Sequence, residues 1–522
     1  MDTRIVMLTP YTLSHRTAEE TLALGYLSKV LRQNNREYDV LVIDGWLESL
    51  TAQQIVERAC VDKPPSVICF SCYRSNLEEA GVLLRLFHEK VGYYVPSICG
   101  GYGPTFHDED FIDAGFTVAV RGEAEHIITD LVSVLCQQGL SLETIPGITF
   151  RKQNVVIRTR PSMPIQDLDI LPFPDRDSIA STIKRKNPVH VCTSRGCMAH
   201  CTFCSVIAFA RAAGGSSWRL RSVKNIVDEL RQLHEYYGVC DFKFVDDSFI
   251  EPPRNERWVA EFAELLVKAG LSIRFRTQVR ADRLTRQIVS GLTEAGWFST
   301  SIGIESGSRE ALRRMAKSAT LEDNIHALAL LKDHGIYTQM GMILFDHATT
   351  IRELEENYHF LRAHAWVVTK GIFTEMFAAK GTTFTKNLIR KQLVRSGQLT
   401  QNFSYEVGDP LVRRVYWLLK QWHRAHAAVY DWVIDSIGAP KILPNKGYEE
   451  TYQLCKLLLQ LDLSFFRKTL DHIQTDKEGD GELVDQAISE TEYQYAVIGN
   501  DIRRIYEKYD LIYDGVLNPF LS

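Results

Sequence analysis

Residues 197–204 read Cys197-Met198-Ala199-His200-Cys201-Thr202-Phe203-Cys204, and they govern the interpretation of the whole chain. A short apolar run at 189–193 precedes them and is typical of a buried strand. Three cysteines on one loop can surround a single metal centre. Three thiolates on a [4Fe–4S] cluster would leave one iron without a protein ligand and therefore open to a substrate.

Zinc is the alternative metal for this loop. A closed zinc site needs four ligands, and His200 or Cys192 could supply the fourth. Inert buried cysteines are a further interpretation, which this spacing beside Gly196 does not favour. The pattern therefore favours the cluster over both alternatives.

Composition limits the class of protein. The chain has 522 residues, 45% of them hydrophobic and 24% charged, with a net charge of −5. These values exclude a disordered chain and do not indicate a nucleic-acid-binding surface. No apolar window reaches the roughly 18 residues that a membrane helix needs, and the N-terminus lacks signal-peptide features. We expect a cytoplasmic protein whose eleven cysteines serve metal binding, redox chemistry or packing rather than disulfides.

Strands and helices alternate on both sides of the cysteines. Downstream strands are predicted at 189–193, 241–245, 272–277, 299–304, 338–344 and 371–377. Intervening helices carry cap signals: Ser222 precedes one helix and Gly238 ends it, while Thr320 and Asp323 resemble a capping box on another. Six βα units predict a partial (β/α)6 barrel over 185–395.

The region before the connector follows a similar pattern. Strands are predicted at 4–9, 38–43, 66–71, 93–99 and 116–120, so residues 1–150 should form a Rossmann-like, doubly wound parallel sheet. Ligands of such sheets bind at the carboxyl ends of the strands. Residues 151–184 are predicted to be a connector and 396–522 a helical C-terminal domain. Its aromatic residues would form a core or cover the barrel mouth.

The CxxxCxxC spacing, at the head of a six-unit βα series, resembles the signature of radical S-adenosylmethionine (SAM) enzymes. In that family the open iron binds the amino and carboxylate groups of SAM, and an electron from the cluster cleaves SAM to a 5′-deoxyadenosyl radical. The resemblance implies Cys197, Cys201 and Cys204 as cluster ligands. It also implies that Phe203 packs near the adenine of SAM.

Later strand ends extend the resemblance. Asp246 and Asp247 follow the second barrel strand, where the family holds the SAM amino group; capping of the next helix is their competing role. Gln278 and Arg280 share one face of the third strand and suit the ribose and carboxylate of SAM. Glu305 matches the family's Gly-Ile-Glu-Ser-Gly segment on the fourth strand, although it could equally be a structural acid that pairs with an arginine.

The first domain resembles the cobalamin-binding domain of class B radical SAM enzymes. Ser71, at a strand end, and the backbone of Gly100 and Gly101 would meet the nucleotide tail of cobalamin. The Arg-Gly-Glu segment that follows the fifth strand implies Gly122 and Glu123 as further contacts.

The usual Asp-x-His-x-x-Gly ligand motif is absent from this domain. His107 lacks that spacing, and we expect it to be a surface residue. Cobalamin should therefore bind without a histidine ligand and with its base displaced. A methylthiotransferase domain with its own cluster is the rival interpretation, in which the candidate cysteines are Cys60, Cys69, Cys72 and Cys99. It is disfavoured because Cys69 and Cys72 lie within or just after an apolar strand.

These resemblances imply a cobalamin-dependent radical SAM methyltransferase that methylates an unactivated carbon via methylcobalamin. Its substrate would be a small molecule or a peptide, and its electron donor a protein such as flavodoxin or ferredoxin. The alternative keeps both cofactors but catalyses a rearrangement, cyclisation or ring contraction. A cobalamin or redox sensor is the non-enzymatic alternative. Neither a membrane nor a nucleic acid is an expected partner.

Overall fold

The computed structural model describes residues 3–10, 20–136, 141–212, 214–215, 218–369, 371–394, 402–438, 441–475 and 478–513. The first sheet comprises β1 (Thr3–Thr9), β2 (Tyr38–Asp44), β3 (Val67–Ser71), β4 (Ser97–Gly100), β5 (Val118–Val120), β6 (Ile148–Lys152) and β7 (Val155–Arg158). Its helices are α1 (Leu22–Asn34), α2 (Gly45–Glu48), α3 (Ala52–Ala59), α4 (Leu77–Val91), α5 (Tyr102–Asp113) and α6 (Ile128–Leu135). The strand order is β2-β1-β3-β4-β5-β6-β7.

This sheet is buried on both faces. In β1, Ile5 and Met7 pack into one apolar core, whereas Val6 and Leu8 pack into another on the opposite face. Successive side chains of a strand point to opposite faces, so helices must cover both. The first five strands pair in parallel, which confirms the predicted doubly wound sheet.

Two antiparallel strands extend this sheet beyond the predicted boundary. β6 pairs antiparallel with β5, and β7 folds back on β6. Gln153 and Asn154 form the turn between them with φ values of 47° and 65°. The boundary predicted at residue 150 therefore falls inside a hairpin, and the first part of the predicted connector belongs to the sheet.

The second part of the chain is the barrel. After α7 (Ile179–Lys184) its strands are β8 (Val189–Val191), β9 (Ser194–Gly196), β10 (Trp218–Leu220), β11 (Asp241–Phe244), β12 (Arg274–Arg280), β13 (Trp297–Glu305), β14 (Tyr337–Met342) and β15 (Ala378–Ala379). Its helices are α8 (Ser205–Ala212), α9 (Val223–Tyr237), α10 (Glu256–Lys268), α11 (Arg286–Glu294), α12 (Arg309–Arg314), α13 (Leu321–Asp333), α14 (Ile351–Ala363) and α15 (Thr383–Arg390). Five parallel strands form the order β14-β13-β12-β11-β8.

The sixth strand, predicted at 371–377, is only partly formed. Val368 bridges to Gln339, and Glu375 bridges to Phe345, both in parallel. No continuous ladder joins these two bridges in the described residues. The barrel is therefore partial, with β8 at one edge and this interrupted segment at the other.

Caps explain where two barrel helices begin and end. The Ser222 hydroxyl accepts the Asn225 N–H at the start of α9, and Gly238 ends that helix with φ 66°. At α13, Thr320 and Asp323 form the predicted capping box. Local side-chain bonds of this kind satisfy N–H groups that a helix leaves unpaired.

The C-terminal part forms a helical bundle that packs against the barrel. After β16 (Asn402–Phe403) its helices are α16 (Pro410–Gly438), α17 (Asn445–Gln474) and α18 (Asp480–Lys508). Tyr448 contacts Phe298 and Tyr337, which lie near the amino ends of β13 and β14. The bundle thus covers the amino ends of these two strands, and Tyr416 of α16 also contacts Phe345 beyond the carboxyl end of β14. The bundle and the barrel share one apolar core. The predicted boundary at 395–396 lies outside the described residues. Among the described helices, none has the length and apolar character required to cross a bilayer.

Candidate functional site

The three cysteines lie on one fixed loop, residues 197–204, which we call the cysteine loop. Cys197 is buried, and Cys201 and Cys204 are half-buried. The backbone of Thr202 holds the loop on both sides: its N–H donates to Met315 O at 2.9 Å, and its carbonyl accepts Phe384 N–H at 2.8 Å. The loop is therefore anchored to segments that follow α12 and begin α15.

The donor chemistry of this loop suits an iron–sulfur cluster. Burial raises the pKa of all three thiols, that of Cys204 to about 11, so they are protonated at neutral pH until a metal binds. The N–H of Ala199 already donates to Cys197 Sγ at 3.4 Å, a contact that would remain with a thiolate. Among the described residues no three histidine, cysteine or acidic side chains gather closely enough for one metal ion. Three thiols on one loop, rather than four closed ligands, favour a cluster over zinc.

The two neighbouring acids after β11 have different surroundings. Asp246 is buried, accepts the Thr193 N–H and the Ser194 hydroxyl at 2.7 Å each, and pairs with Arg254 at 3.2 Å. It therefore braces the chain just before the cysteine loop and is not open to a ligand. Asp247 is accessible and accepts the Gly196 N–H at 3.1 Å.

Asp247 is thus the acid of the pair that remains for a ligand. Surrounding protein raises the pKa of its carboxyl group to about 6, and the charge of Asp246 adds to this effect. A cation beside it would restore the charged form.

The two residues of β12 that were predicted to contact SAM, Gln278 and Arg280, also differ in their surroundings. Gln278 is exposed on the inner face of the barrel. Arg280 is buried and donates to Asp282 at 2.6 Å, to Glu251 at 3.3 Å and to Cys197 Sγ at 3.8 Å. These contacts engage the guanidinium beside the cysteine loop. The sequence had predicted that Arg280 would contact the ribose or the carboxylate of SAM.

Glu305 ends β13 in a conformation that is unusual for its residue type. Its φ is 67°, and the register with β14 shifts between Gly303 and Glu305. Its carboxylate pairs with Lys317 at 3.0 Å, so the predicted basic partner is a lysine rather than an arginine. Strain of this kind persists at functional sites, where surrounding structure maintains it.

Two glycines make room for the ion pair of Glu305 and Lys317. Gly303 and Gly341 face each other on β13 and β14. A Cβ at Gly303 would lie 2.6 Å from Glu305 Oε1 and 2.9 Å from Lys317 Nζ. Gly303, Gly341 and the exposed Gln278 line one polar surface beside the cysteine loop, which we call the glycine floor. The Glu305 carboxylate and the Lys317 ammonium have the charges that the amino and carboxylate groups of SAM would require.

Phe203 packs against an apolar cluster that includes Met315, Met376 and Phe384. Its contact with an adenine ring stays a prediction.

Ser71 and the Gly100–Gly101 segment lie side by side at the strand ends of the first domain. Ser71 pairs in register with Gly100. Gly101 has φ 103°, and a Cβ there would lie 3.0 Å from Cys72 O and 3.7 Å from Ser71 Oγ. Thr105, which sequence reasoning did not assign, joins two loops: its hydroxyl donates to Gly101 O at 2.7 Å and accepts Gly122 N–H at 3.0 Å. A bare backbone edge of this kind suits close approach of a bulky cofactor such as cobalamin.

Glu123 is engaged elsewhere than predicted. Its carboxylate accepts from Arg219 at 2.5 and 2.9 Å and lies 3.2 Å from Arg195. Both arginines belong to the barrel hairpin β9–β10. Glu123 therefore joins the two domains instead of presenting a free carboxylate to a ligand.

His107 is buried, with 6% of its surface exposed, so the expectation of a surface histidine was wrong. It lies in a kinked turn of α5, 3.5 Å from Asp110. Burial first, and then the positive charge of Lys380, lower its pKa to about 4.

Cys69, Cys72 and Cys99 lie in the packed core of the first domain. Burial raises the pKa of Cys69 to about 12. This placement accounts for these three cysteines as packing residues, and Cys60, the fourth candidate, is half-buried.

Aromatic contacts bring the two candidate sites face to face. Tyr102, which follows Gly101 at the start of α5, stacks on Phe209 of α8 with ring centroids 6.0 Å apart. Phe106, one turn further, contacts both rings. Because Gly101 follows a strand end of the first sheet and α8 begins directly after Cys204, these contacts place that edge of the first sheet beside the cysteine loop. We call this junction the shared mouth.

Comparison with known proteins identifies the family of each domain. The family model for the Radical SAM superfamily matches residues 191–361, and that for the B12 binding domain matches residues 9–132. An uncharacterized methyltransferase of Pyrococcus horikoshii is 28% identical over 445 residues, which cover 83% of this chain and 91% of that protein. The anaerobic magnesium-protoporphyrin IX monomethyl ester cyclase of Synechocystis is 28% identical over 344 residues, covering 64% of this chain and 67% of that protein.

Solved structures share the fold. The cobalamin-dependent SAM radical enzyme OxsB with aqua-cobalamin bound gives a TM-score of 0.77 at 20% identity and covers 99% of this chain and 83% of that one. The methyltransferase TsrM of Kitasatospora setae, with cobalamin and a [4Fe–4S] cluster bound, gives 0.65 at 15% identity and covers 76% of each chain. With both domain families joined on this fold, the chain belongs to the cobalamin-dependent radical SAM enzymes, whose cofactors are a [4Fe–4S] cluster, SAM and cobalamin.

Proposed function

We propose that this enzyme is a C-methyltransferase that transfers a methyl group, carried by cobalamin, to an unactivated carbon of a small molecule or a peptide. The shared mouth is the observation that carries the proposal. Tyr102 and Phe209 join the first domain directly to the end of the cysteine loop. A substrate in that mouth could meet both cofactors in one turnover.

Each group of residues has a proposed role in the mouth. Cys197, Cys201 and Cys204 hold the cluster, which with SAM supplies the 5′-deoxyadenosyl radical. The carboxylate of Asp247 binds the SAM amino group, while Glu305 orients the remaining polar end of SAM across the glycine floor. Phe203 packs near the adenine, and Gln278 lines the same floor.

Cobalamin is proposed to bind along the facing edge of the first sheet. Ser71 and the backbone of Gly100, Gly101 and Gly122 would contact it, and no histidine would coordinate the cobalt. Glu123 and Asp246 support the site through the arginines and loop residues that they bind. Arg280 lies beside Cys197, where its guanidinium contacts the sulfur atom.

Names of the relatives support methylation without identifying a substrate. The Pyrococcus methyltransferase matches over nearly its full length. Cytidylyl-2-hydroxyethylphosphonate methyltransferase of Streptomyces wedmorensis is 22% identical over 445 residues, 81% of that protein. Radical SAM enzymes also need a reductant, and we propose a small electron-transfer protein such as flavodoxin or ferredoxin.

A cyclisation or another rearrangement is the second candidate. It is supported by relatives named as cyclases in Synechocystis, Rubrivivax gelatinosus and Cereibacter sphaeroides. The cofactor-holding residues serve either chemistry, because the radical forms in the same way in both.

Product analysis distinguishes these candidates. The reconstituted enzyme is incubated anaerobically with methyl-labelled SAM, a reductant and a deproteinised metabolite extract of the producing cells. Methyl transfer predicts S-adenosylhomocysteine and 5′-deoxyadenosine in about equal amounts, with label in the product, because each turnover consumes two SAM molecules. A rearrangement predicts 5′-deoxyadenosine with an unlabelled product, and that result would overturn the proposal. The Cys204→Ala variant sets the background.

A further inference from the structure

A buried carboxylate lies against the first cysteine of the loop. Glu251 is fully buried, and the thiol of Cys197 donates to its Oε1 at 3.3 Å. Arg280 Nη1 lies 3.3 Å from the same oxygen and 3.8 Å from Cys197 Sγ. Arg283 Nε donates to the other carboxylate oxygen at 3.0 Å.

The charges of this group balance before the cluster binds. Glu251 and Asp282 supply two negative charges, and Arg280 and Arg283 supply two positive ones. When Cys197 ligates iron it loses its proton, so its sulfur becomes a second acceptor beside the Glu251 carboxylate. Arg280 has an N–H group within reach of both acceptors.

A donor and a cation at a cluster sulfur favour the reduced cluster. Reduction adds one electron, taken from an external low-potential reductant, and so makes the cluster more negative. Hydrogen bonds to the sulfurs and nearby net charge set the reduction potential of such clusters. The positive charge of Arg280 raises the potential, whereas the negative charge of Glu251 lowers it.

We propose that Arg280 donates a hydrogen bond to the Cys197 sulfur in the cluster-loaded enzyme, and that Glu251 positions Arg280 for this contact. Arg280 therefore sets the reduction potential of the cluster. The inference rests on Cys197 as a cluster ligand and is independent of whether the enzyme methylates its substrate.

Redox titration of the reconstituted cluster, with mediators and dithionite and followed by EPR, tests this role. At the wild-type midpoint, Arg280→Gln should lower the ratio of reduced to oxidised cluster about tenfold, which corresponds to about 59 mV for one electron. Glu251→Gln should shift the ratio in the opposite direction, because it removes a negative charge while its amide oxygen still accepts from Arg280 and keeps that side chain in position.

Arg283→Gln is the matched control. It also loses a contact to Glu251, but Arg283 is 30% exposed, and the structure places its guanidinium on the carboxylate oxygen remote from Cys197. Its shift should be less than half as large on the potential scale. Equal shifts for Arg280→Gln and Arg283→Gln, or no shift in Arg280→Gln with full iron content, would overturn the proposal.

A second measurement covers the case in which Arg280→Gln fails to hold iron. Protein labelled with ¹⁵N-arginine should show a weak ¹⁵N coupling to the reduced wild-type cluster in pulsed EPR. Arg280→Lys should lose that coupling, and Arg283→Lys should keep it. A wild-type cluster without the coupling refutes the contact, and iron loss in Cys197→Ala is read separately as a test of the ligand itself.

Discussion

Glu125 Oε1 lies 2.6 Å from Arg195 Nη2, across the interface between the first domain and the barrel. The two side chains are only 8% and 17% exposed. Arg195 stands two residues before Cys197, so this ion pair fixes the first domain against the start of the cysteine loop. Glu123 shares the same arginine, which makes the contact a small network rather than an isolated pair.

Removing Arg195 should destabilise the protein strongly. Arg195→Ala leaves Glu123 and Glu125 at the interface without this partner, and we expect a loss of about 3 kcal/mol in the free energy of unfolding. Anaerobic urea denaturation measures it. The control is Lys224→Ala, which breaks an exposed pair with Asp228 and should cost about 0.5 kcal/mol or less. Equal effects of the two substitutions would contradict a stabilising interface.

The cluster should depend on the three loop cysteines alone. Anaerobic reconstitution of the wild-type protein should give about four irons per chain, and replacing Cys197, Cys201 and Cys204 by Ala should abolish the brown absorbance. Cys192→Ala is the control, because its thiol lies close by but bonds Ser194 O at 3.3 Å. A triple variant that retains its cluster would refute the ligand assignment.

Cobalamin should be bound without a histidine. His107 is buried in the kink of α5, and its Nδ1 lies 3.5 Å from Asp110 Oδ2, so the imidazole already has a partner within the first domain. The EPR spectrum of bound cob(II)alamin should lack nitrogen superhyperfine splitting on its axial lines. His107→Ala should leave the spectrum unchanged. A triplet splitting that this substitution removes would identify His107 as the ligand.

The helical bundle should give the enzyme a pH-dependent stability. Asp462 is buried and accepts from Trp422 Nε1 at 2.9 Å and from the Tyr430 hydroxyl, and burial raises its pKa to about 7. In the unfolded chain the value is about 4. The folded state therefore holds this proton more tightly, and the resulting stability is present below about pH 4 and lost as the pH rises to about 7.

Asp462→Asn keeps the acceptor oxygen and removes the titration. Between pH 4 and 7 the free energy of unfolding of the wild-type protein should fall by up to about 1.4 kcal/mol per pH unit relative to this variant. Guanidinium denaturation followed by tryptophan fluorescence measures the two slopes. Identical slopes would show that Asp462 ionises alike in both states.

Local signals made much of this architecture predictable. The cysteine spacing, the capping box of Thr320 and Asp323, and the apolar strand runs each depend on residues close in sequence. β6 and β7 escaped prediction because their pairing with β5 is tertiary and their exposed residues read as a connector. The sixth barrel strand is interrupted because Val368 and Glu375 bridge β14 and its extension separately.

Long-range partners decided the roles of the charged residues. Asp246 bonds to Thr193 and Glu123 bonds to Arg219, and both partners are distant in sequence. No local pattern predicts either contact. Glu251 was missed for the same reason, although it follows the paired acids in the loop after β11. Residue type and strand-end position predict that a side chain lies near a site, but whether its charge is free depends on the tertiary contacts.

We propose that cobalamin and SAM meet in the shared mouth for methyl transfer. The transfer of the methyl group from SAM to cobalamin can be tested without knowing the substrate. Enzyme carrying cob(I)alamin is mixed with trideuteromethyl-SAM, and the cobalamin is then analysed by mass spectrometry against a protein-free background. We expect one labelled methyl group on each bound cobalamin and an equal amount of S-adenosylhomocysteine. Unlabelled cobalamin in a preparation that cleaves SAM to 5′-deoxyadenosine would contradict it.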